Sequence, residues 1–269
     1  PRPRESAVDV ADVRADLLAE QQALDDLMVQ LTDDQWALPT PSPRWSVADQ
    51  IGHLTYFDET AAQAITDPEA FQASVAALLD SLDEGDDDAT LRAYRALTPS
   101  ELLQTWRQNR ALLADASATL DNDTRVPWYG PSMGSKSFLT ARLMETWAHG
   151  QDIVDTVGTS RSGTDRLRHI AQLGVITRGW SYVNRGLEQP DQEVRVELTS
   201  PSGALWTFGP DDAREVVSGP AEDFCLVVTQ RRHVDDTNLL LEGTAARDWL
   251  EKAQAFAGGA TDGPTAGSF

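Results

Sequence analysis

Between Val8 and Leu31, apolar residues return every three or four positions, at Leu17, Leu18, Leu24, Leu27, Met28 and Leu31, with acids between them. That spacing predicts a long amphipathic helix with one apolar face. The segment Pro39-Thr40-Pro41-Ser42-Pro43 interrupts it, because each proline lacks an amide donor and drives its predecessor toward extended geometry. A new helix is predicted from Ser46, which forms a capping pattern with Asp49, through His53 to about Ile65. Pro68 to Leu82 reads as a third helix, closed by Asp83-Glu84-Gly85-Asp86-Asp87-Asp88. That acidic run reads as a solvated loop, since a calcium loop needs ligands at fixed alternate positions. Thr98-Pro99-Ser100-Glu101 opens a fourth helix with a capping box and proline in its first turn. The loop from Val126 to Gly134 carries Trp128 and Tyr129 in polar surroundings, as a structured, pocket-lining segment would. A further helix spans Ser137 to Val157 and stops at Gly158.

Beyond Gly158 the pattern changes. Thr164 to Val183 still reads as a helix, but Val194-Arg195-Val196-Glu197-Leu198 alternates with period two and leads through Ser200-Pro201-Ser202-Gly203 into Ala204 to Phe208, a hairpin. Glu215 to Ser218 and Asn238 to Glu242 read as strands, Ala221 to Gln230 and Thr244 to Phe256 as helices. The organisation expected is an all-helical unit over residues 1–158, an α+β unit over 159–257, and a Gly-, Ala- and Thr-rich tail over 258–269 that frays.

At 269 residues, 41% apolar and 24% charged, the chain has enough apolar surface to fold as a globular protein. Its 43 acidic residues against 22 basic ones give a net charge of −21, and the basic residues gather into no stripe that would track phosphates. Nucleic acid and anionic membranes are therefore not the expected partners. No apolar run is long enough to span a bilayer, and Pro1-Arg2-Pro3-Arg4-Glu5 is unlike a signal peptide, so the expected location is cytoplasmic. The single cysteine, Cys225, excludes an intrachain disulfide and any multi-cysteine metal site; flanked by Phe224, Leu226 and Val227, it reads as a small buried hydrophobe.

Candidate chemistry lies with the histidines. Glu145 and His149 are four residues apart, so at about 100° per residue their side chains project about 40° apart on one helical face, with Asp152 on the same stripe. An inward Glu, His and Asp are costly to bury unless paired or bound to a cation. With His53 from another helix, Glu145 and His149 would make the two-imidazole, one-carboxylate set of an open zinc site. The same spacing also suits an exposed helix-stabilising pair, and on its own His53, beside Leu54, Tyr56 and Phe57, reads more readily as a core histidine than as a ligand. His169 and His233 have no carboxylate or histidine at ligand spacing and read as surface or capping residues.

The run Ser46-Val47-Ala48-Asp49-Gln50-Ile51-Gly52-His53-Leu54, the Glu145 and His149 pair in a late helix, and Asp223-Phe224-Cys225-Leu226-Val227-Val228-Thr229-Gln230-Arg231-Arg232 together resemble the mycothiol-dependent maleylpyruvate isomerase family, within the DinB-like superfamily. The resemblance runs from about Val8 to Ala257 and implies an α+β protein, an N-terminal DinB-like helical bundle followed by a smaller α+β domain. It implies a divalent metal, usually zinc, on His53, Glu145 and His149, with mycothiol as thiol cosubstrate. It also implies an arginine of the C-terminal domain near the site, for which Arg231 and Arg232 are the candidates. Arg142, one turn before Glu145, is a candidate for an anionic ligand, Trp128 and Tyr129 for lining the thiol site, and Asp152 for orienting an imidazole or acting as a base. The expected activity is isomerisation or S-transfer on a small electrophile, with the metal holding a thiolate. A zinc hydrolase using activated water and a non-catalytic metal or small-ligand binder are the other readings the residues allow.

Overall fold

A computed structural model of the chain describes residues 8–81 and 89–269. The acidic run from Asp83 to Asp88 and the Pro1–Glu5 segment lie outside the described residues. The chain forms two compact units that divide between Ser160 and Arg161.

Among the described residues the first unit contains six α-helices: α1 (Val10–Met28), α2 (Asp33–Trp36), α3 (Val47–Thr66), α4 (Pro68–Ser81), α5 (Pro99–Ser117) and α6 (Ser135–Val157). Their ends follow the chemistry of their sequences. Ser46 accepts from the Asp49 amide while the Asp49 carboxylate accepts from the Ser46 amide, and Thr98 and Glu101 close the same reciprocal box with Pro99 behind them. Gly158, at φ +68°, takes the left-handed conformation that ends α6. Leu24 and Met28 of α1, Trp36 of α2, Val47, Ile51 and Leu54 of α3, Leu102 and Trp106 of α5 and Ile153 of α6 form one buried cluster. This cluster draws α3 against α5, and α3 also packs on α6, which is what brings the candidate side chains of α3 and α6 face to face. Two features went beyond the sequence pattern. One is the four-residue α2, and the other is a two-residue antiparallel ladder, β1 (Arg125–Val126) with β2 (Met133–Gly134), which pins the base of the Trp128 loop.

The second unit holds α7 (Leu167–Ile176), α8 (Arg178–Val183), β3 (Val194–Thr199), β4 (Leu205–Phe208), β5 (Glu215–Pro220), α9 (Ala221–Val228), β6 (Leu240–Glu242) and α10 (Thr244–Leu250). The sheet runs β4-β3-β5-β6, with β3 antiparallel to β4 through the expected hairpin, parallel to β5, and β5 antiparallel to β6. Val194, Val196 and Leu198 alternate inward along β3. After β4 the chain turns at Gly209, φ +82°, where a Cβ would lie 2.4 Å from the Val194 carbonyl oxygen, so only glycine fits.

The expected helix from Thr164 to Val183 is two helices. The break falls at Thr177, whose backbone leaves helical geometry at φ −89° and ψ 8°. The expected helix from Thr244 to Phe256 ends at Leu250, because the amides of Gln254 and Ala255 are taken by the Ser181 hydroxyl and the Val228 carbonyl. The 258–269 segment, expected to fray, is bonded to the rest of its unit: Thr261 donates to Gln230, Asp262 pairs with Arg185, and the Gly267 amide donates to Asp236. No helix among the described residues is long and apolar enough to cross a membrane.

Candidate metal centre

His53 projects from α3, and Glu145 and His149 project from successive turns of α6, the facing helix. Glu145 Oε2 stands 3.1 Å from His53 Nε2 and 3.0 Å from His149 Nε2, and the imidazole centroids are 4.4 Å apart. One ligand atom from each residue lies within 4.8 Å of the other two. The indole of Trp45 covers both rings, 5.1 Å from His53 and stacked on His149 at 5.8 Å with the planes 25° apart, and Phe57 packs 4.5 Å from His53. Aromatic walls exclude water and strengthen charge interactions within.

The electrostatics suit cation binding. Burial, aided by the nearby His149, pushes His53 down to about 4, so its ring is neutral at neutral pH with a lone pair to offer. Burial alone would raise the Glu145 carboxyl, but hydrogen bonds and charge from His149 and His53 outweigh it and hold the group well below the usual carboxylate range. The result is one carboxylate and two imidazoles converging on a point. That donor set fits a divalent metal bound by three protein ligands with one position left open.

The remaining sequence candidates have distinct surroundings. Asp152 lies beside the triad: its Oδ2 is 3.8 Å from His149 Nδ1, too far for a hydrogen bond, and accepts from the Ser42 hydroxyl at 3.1 Å. Arg142, 4% exposed, is sunk beneath the site with its guanidinium over the rings of Phe57 and Trp128 and its Nε 3.7 Å from Asp58 Oδ1. Burial raises the Asp58 carboxyl to about 6 despite Arg142 and the donors Trp106 and Gln21. Trp128 and Tyr129 join Phe57 and Phe71 in an aromatic cluster, Trp128 stacking flat on Phe71 and the Tyr129 hydroxyl donating to that of Tyr56. Arg231 and Arg232 belong to the second unit, where they follow α9; Arg231 donates to the Thr229 carbonyl and Arg232 lies over the Phe269 ring. His233 caps a short turn through the Asp235 amide, and Cys225 is fully buried, its thiol pushed up by that burial.

The sequence reading missed Gln50, Trp45 and Asp58. Gln50, with no exposed surface, has its Oε1 2.5 Å from His149 Nδ1. Its only sequence signal is a polar residue one turn before His53 on the inward stripe of α3, and its partner is on another helix.

The family model for the mycothiol maleylpyruvate isomerase N-terminal domain matches residues 17–154, which holds all three triad residues, and a second model, wyosine base formation, matches residues 190–242. Two uncharacterized proteins of Mycobacterium tuberculosis, from strains CDC 1551 / Oshkosh and H37Rv, are each 45% identical to the chain over 245 residues, covering 91% of it and 95% of theirs. Among solved structures, the crystal structure of the mycothiol-dependent maleylpyruvate isomerase has a TM-score of 0.57 at 16% identity, covering 83% of this chain and 90% of that one. A histidine-to-alanine mutant of that enzyme gives 0.56 with the same identity and coverage. At that identity the structures establish a common fold of a helical domain with a smaller α+β domain. The first family model, spanning more than half of the chain and enclosing both helices that carry the triad, establishes the lineage: the chain belongs to the mycothiol maleylpyruvate isomerase N-terminal domain family.

Proposed function

We propose that this chain is a metal-dependent enzyme that uses a low-molecular-weight thiol, mycothiol, to isomerise or S-transfer a small electrophilic substrate. The observation that carries the reading is the convergence of His53, Glu145 and His149 within 4.8 Å of one another. A divalent cation held there, zinc being the natural choice for two imidazoles and a carboxylate, would bind a thiol in its nucleophilic thiolate form. Free thiols ionise near 8.5, so only a few per cent are thiolate at pH 7, which makes such assistance worthwhile. The chain supplies no thiolate of its own, since Cys225 is buried in the second unit and pushed toward its neutral form. Trp45 and Phe57 shield the bound groups from water, Trp128 and Tyr129 pack against Phe57 as an apolar lining, and the family resemblance offers Arg231 or Arg232 for an anionic substrate. Arg142 acts through its charge from beneath Phe57.

The test is metal content together with thiol dependence. Purified protein is expected to carry about one divalent metal per chain and to convert an activated cis-alkene only when mycothiol is added. Full-rate turnover without thiol would transfer the site to a hydrolase using water, with Asp152, beside His149, as the base. Metal on the triad with no open position would make the site structural.

A further inference from the structure

We infer that Gln50 is a positioning residue that fixes which nitrogen of His149 faces the metal, through a relay anchored on a backbone carbonyl. The inference rests on the metal reading of the triad. The relay begins at the Trp45 carbonyl, which can only accept; it takes the Thr40 amide at 2.8 Å and the Thr40 hydroxyl at 2.9 Å. With its one proton committed there, the Thr40 oxygen must accept from the next group, the Gln50 amide Nε2 at 2.8 Å. That contact settles the direction of the Gln50 side chain, which at 0% exposure has no water to reorient against. Its Oε1 therefore faces His149 Nδ1 at 2.5 Å, and the ring must present an N–H there. In the neutral imidazole the lone pair is left on Nε2, the atom 3.0 Å from Glu145. With that lone pair turned to the Glu145 carboxylate, a proton or a metal ion stands between the two atoms, and the metal takes the proton's place.

In this arrangement the relay holds His149 with Nε2 turned toward the metal position before any ligand arrives. His53 has no such support, because its Nδ1 is buried without a hydrogen-bond partner. Asp152, which the sequence offered for the orienting role, stands 3.8 Å from Nδ1 and is engaged by Ser42. The loop Pro39–Trp45 thus does more than break a helix: its Thr40 supplies the acceptor that orients Gln50, and its Trp45 ring roofs the same histidine.

The experiment titrates the full-length apoprotein with cobalt(II) alone, reading affinity by competition against a chelator and geometry from the visible spectrum. Outer hydrogen-bond partners of ligating histidines typically govern about 10- to 100-fold in affinity. Gln50→Leu, close in size, is expected to weaken cobalt binding by about that factor; Gln50→Glu, which still accepts from Nδ1–H, restores it to within about threefold, and Asp152→Asn stays within about threefold of wild type. On the unaltered zinc-loaded protein, nitrogen NMR of His149 is expected to find Nδ1 protonated and Nε2 bound, a readout that holds even if Gln50→Leu does not fold. Equal affinity of wild type and Gln50→Leu, equal losses in Gln50→Leu and Gln50→Glu, or zinc on Nδ1 would each overturn the inference while leaving the triad standing. A wild-type protein that binds no cobalt would overturn both.

Discussion

His53 of the triad, half-buried, and Asp58, fully buried, carry opposite pH signatures, and single substitutions separate them. His53, lowered from 6.5 to about 4, stays neutral in the fold, so as pH falls below 6.5 the unfolded chain takes up the proton first. Its contribution is present above 6.5 and is lost as pH falls through 4. Asp58 is raised from 3.8 to about 6, so its contribution is present below 3.8 and is lost as pH rises through 6. In metal-free wild type the two partly cancel. In Asp58→Asn the unfolding free energy is expected to rise with pH between about 4 and 6.5, and in His53→Gln to fall as pH rises from about 4 to 6. Urea denaturation across that range reads both slopes; identical profiles in the two variants would contradict these environments. On the metal side, His53→Ala and His149→Ala are each expected to lose stoichiometric zinc by elemental analysis, whereas full occupancy in both would place the metal elsewhere.

How much of this was legible before folding depended on how local the information was. The capping pairs Ser46–Asp49 and Thr98–Glu101 and the glycine stop at Gly158 are contacts within a few residues, and each appears where its sequence places it. Glu145 and His149 share a face by helical geometry alone, but His53 stood beside them only as an option until the family resemblance favoured it, because its approach depends on how α3 packs. Gln50 and Asp58 were silent for the same reason: their partners, Thr40 and His149, Trp106 and Arg142, lie in a proline-rich loop or on other helices. The break at Thr177 has no local marker in the sequence, since the apolar pattern runs through it. Packing between helices yields its own prediction in the second unit, where a Cβ on Gly174 of α7 would meet both methyls of Val228 on α9 at 2.8 and 2.9 Å. Gly174→Ala is expected to cost about 1–3 kcal/mol by thermal or urea unfolding, the range for overpacking a filled core, while leaving metal stoichiometry unchanged. A variant as stable as wild type would mean that α7 and α9 can separate freely.

Across the whole chain, a net charge of −21 repels an anionic substrate, which gives the few placed cations particular weight. Arg231→Ala combined with Arg232→Ala is expected to lower kcat/KM at least tenfold, about 1.4 kcal/mol, with zinc content and cobalt spectrum unchanged. An unchanged kcat/KM would remove both from the reaction. The central claim, that the triad holds a metal to which an added thiol binds, is tested most directly by the absorption spectrum of the cobalt(II) protein with and without mycothiol. Since the chain's one cysteine is buried in the second unit, sulfur at the metal must come from the added thiol. The account predicts an intense sulfur-to-cobalt charge-transfer band that grows in with mycothiol and saturates at one equivalent; a spectrum of nitrogen and oxygen ligands alone, unchanged at saturating mycothiol, would contradict it.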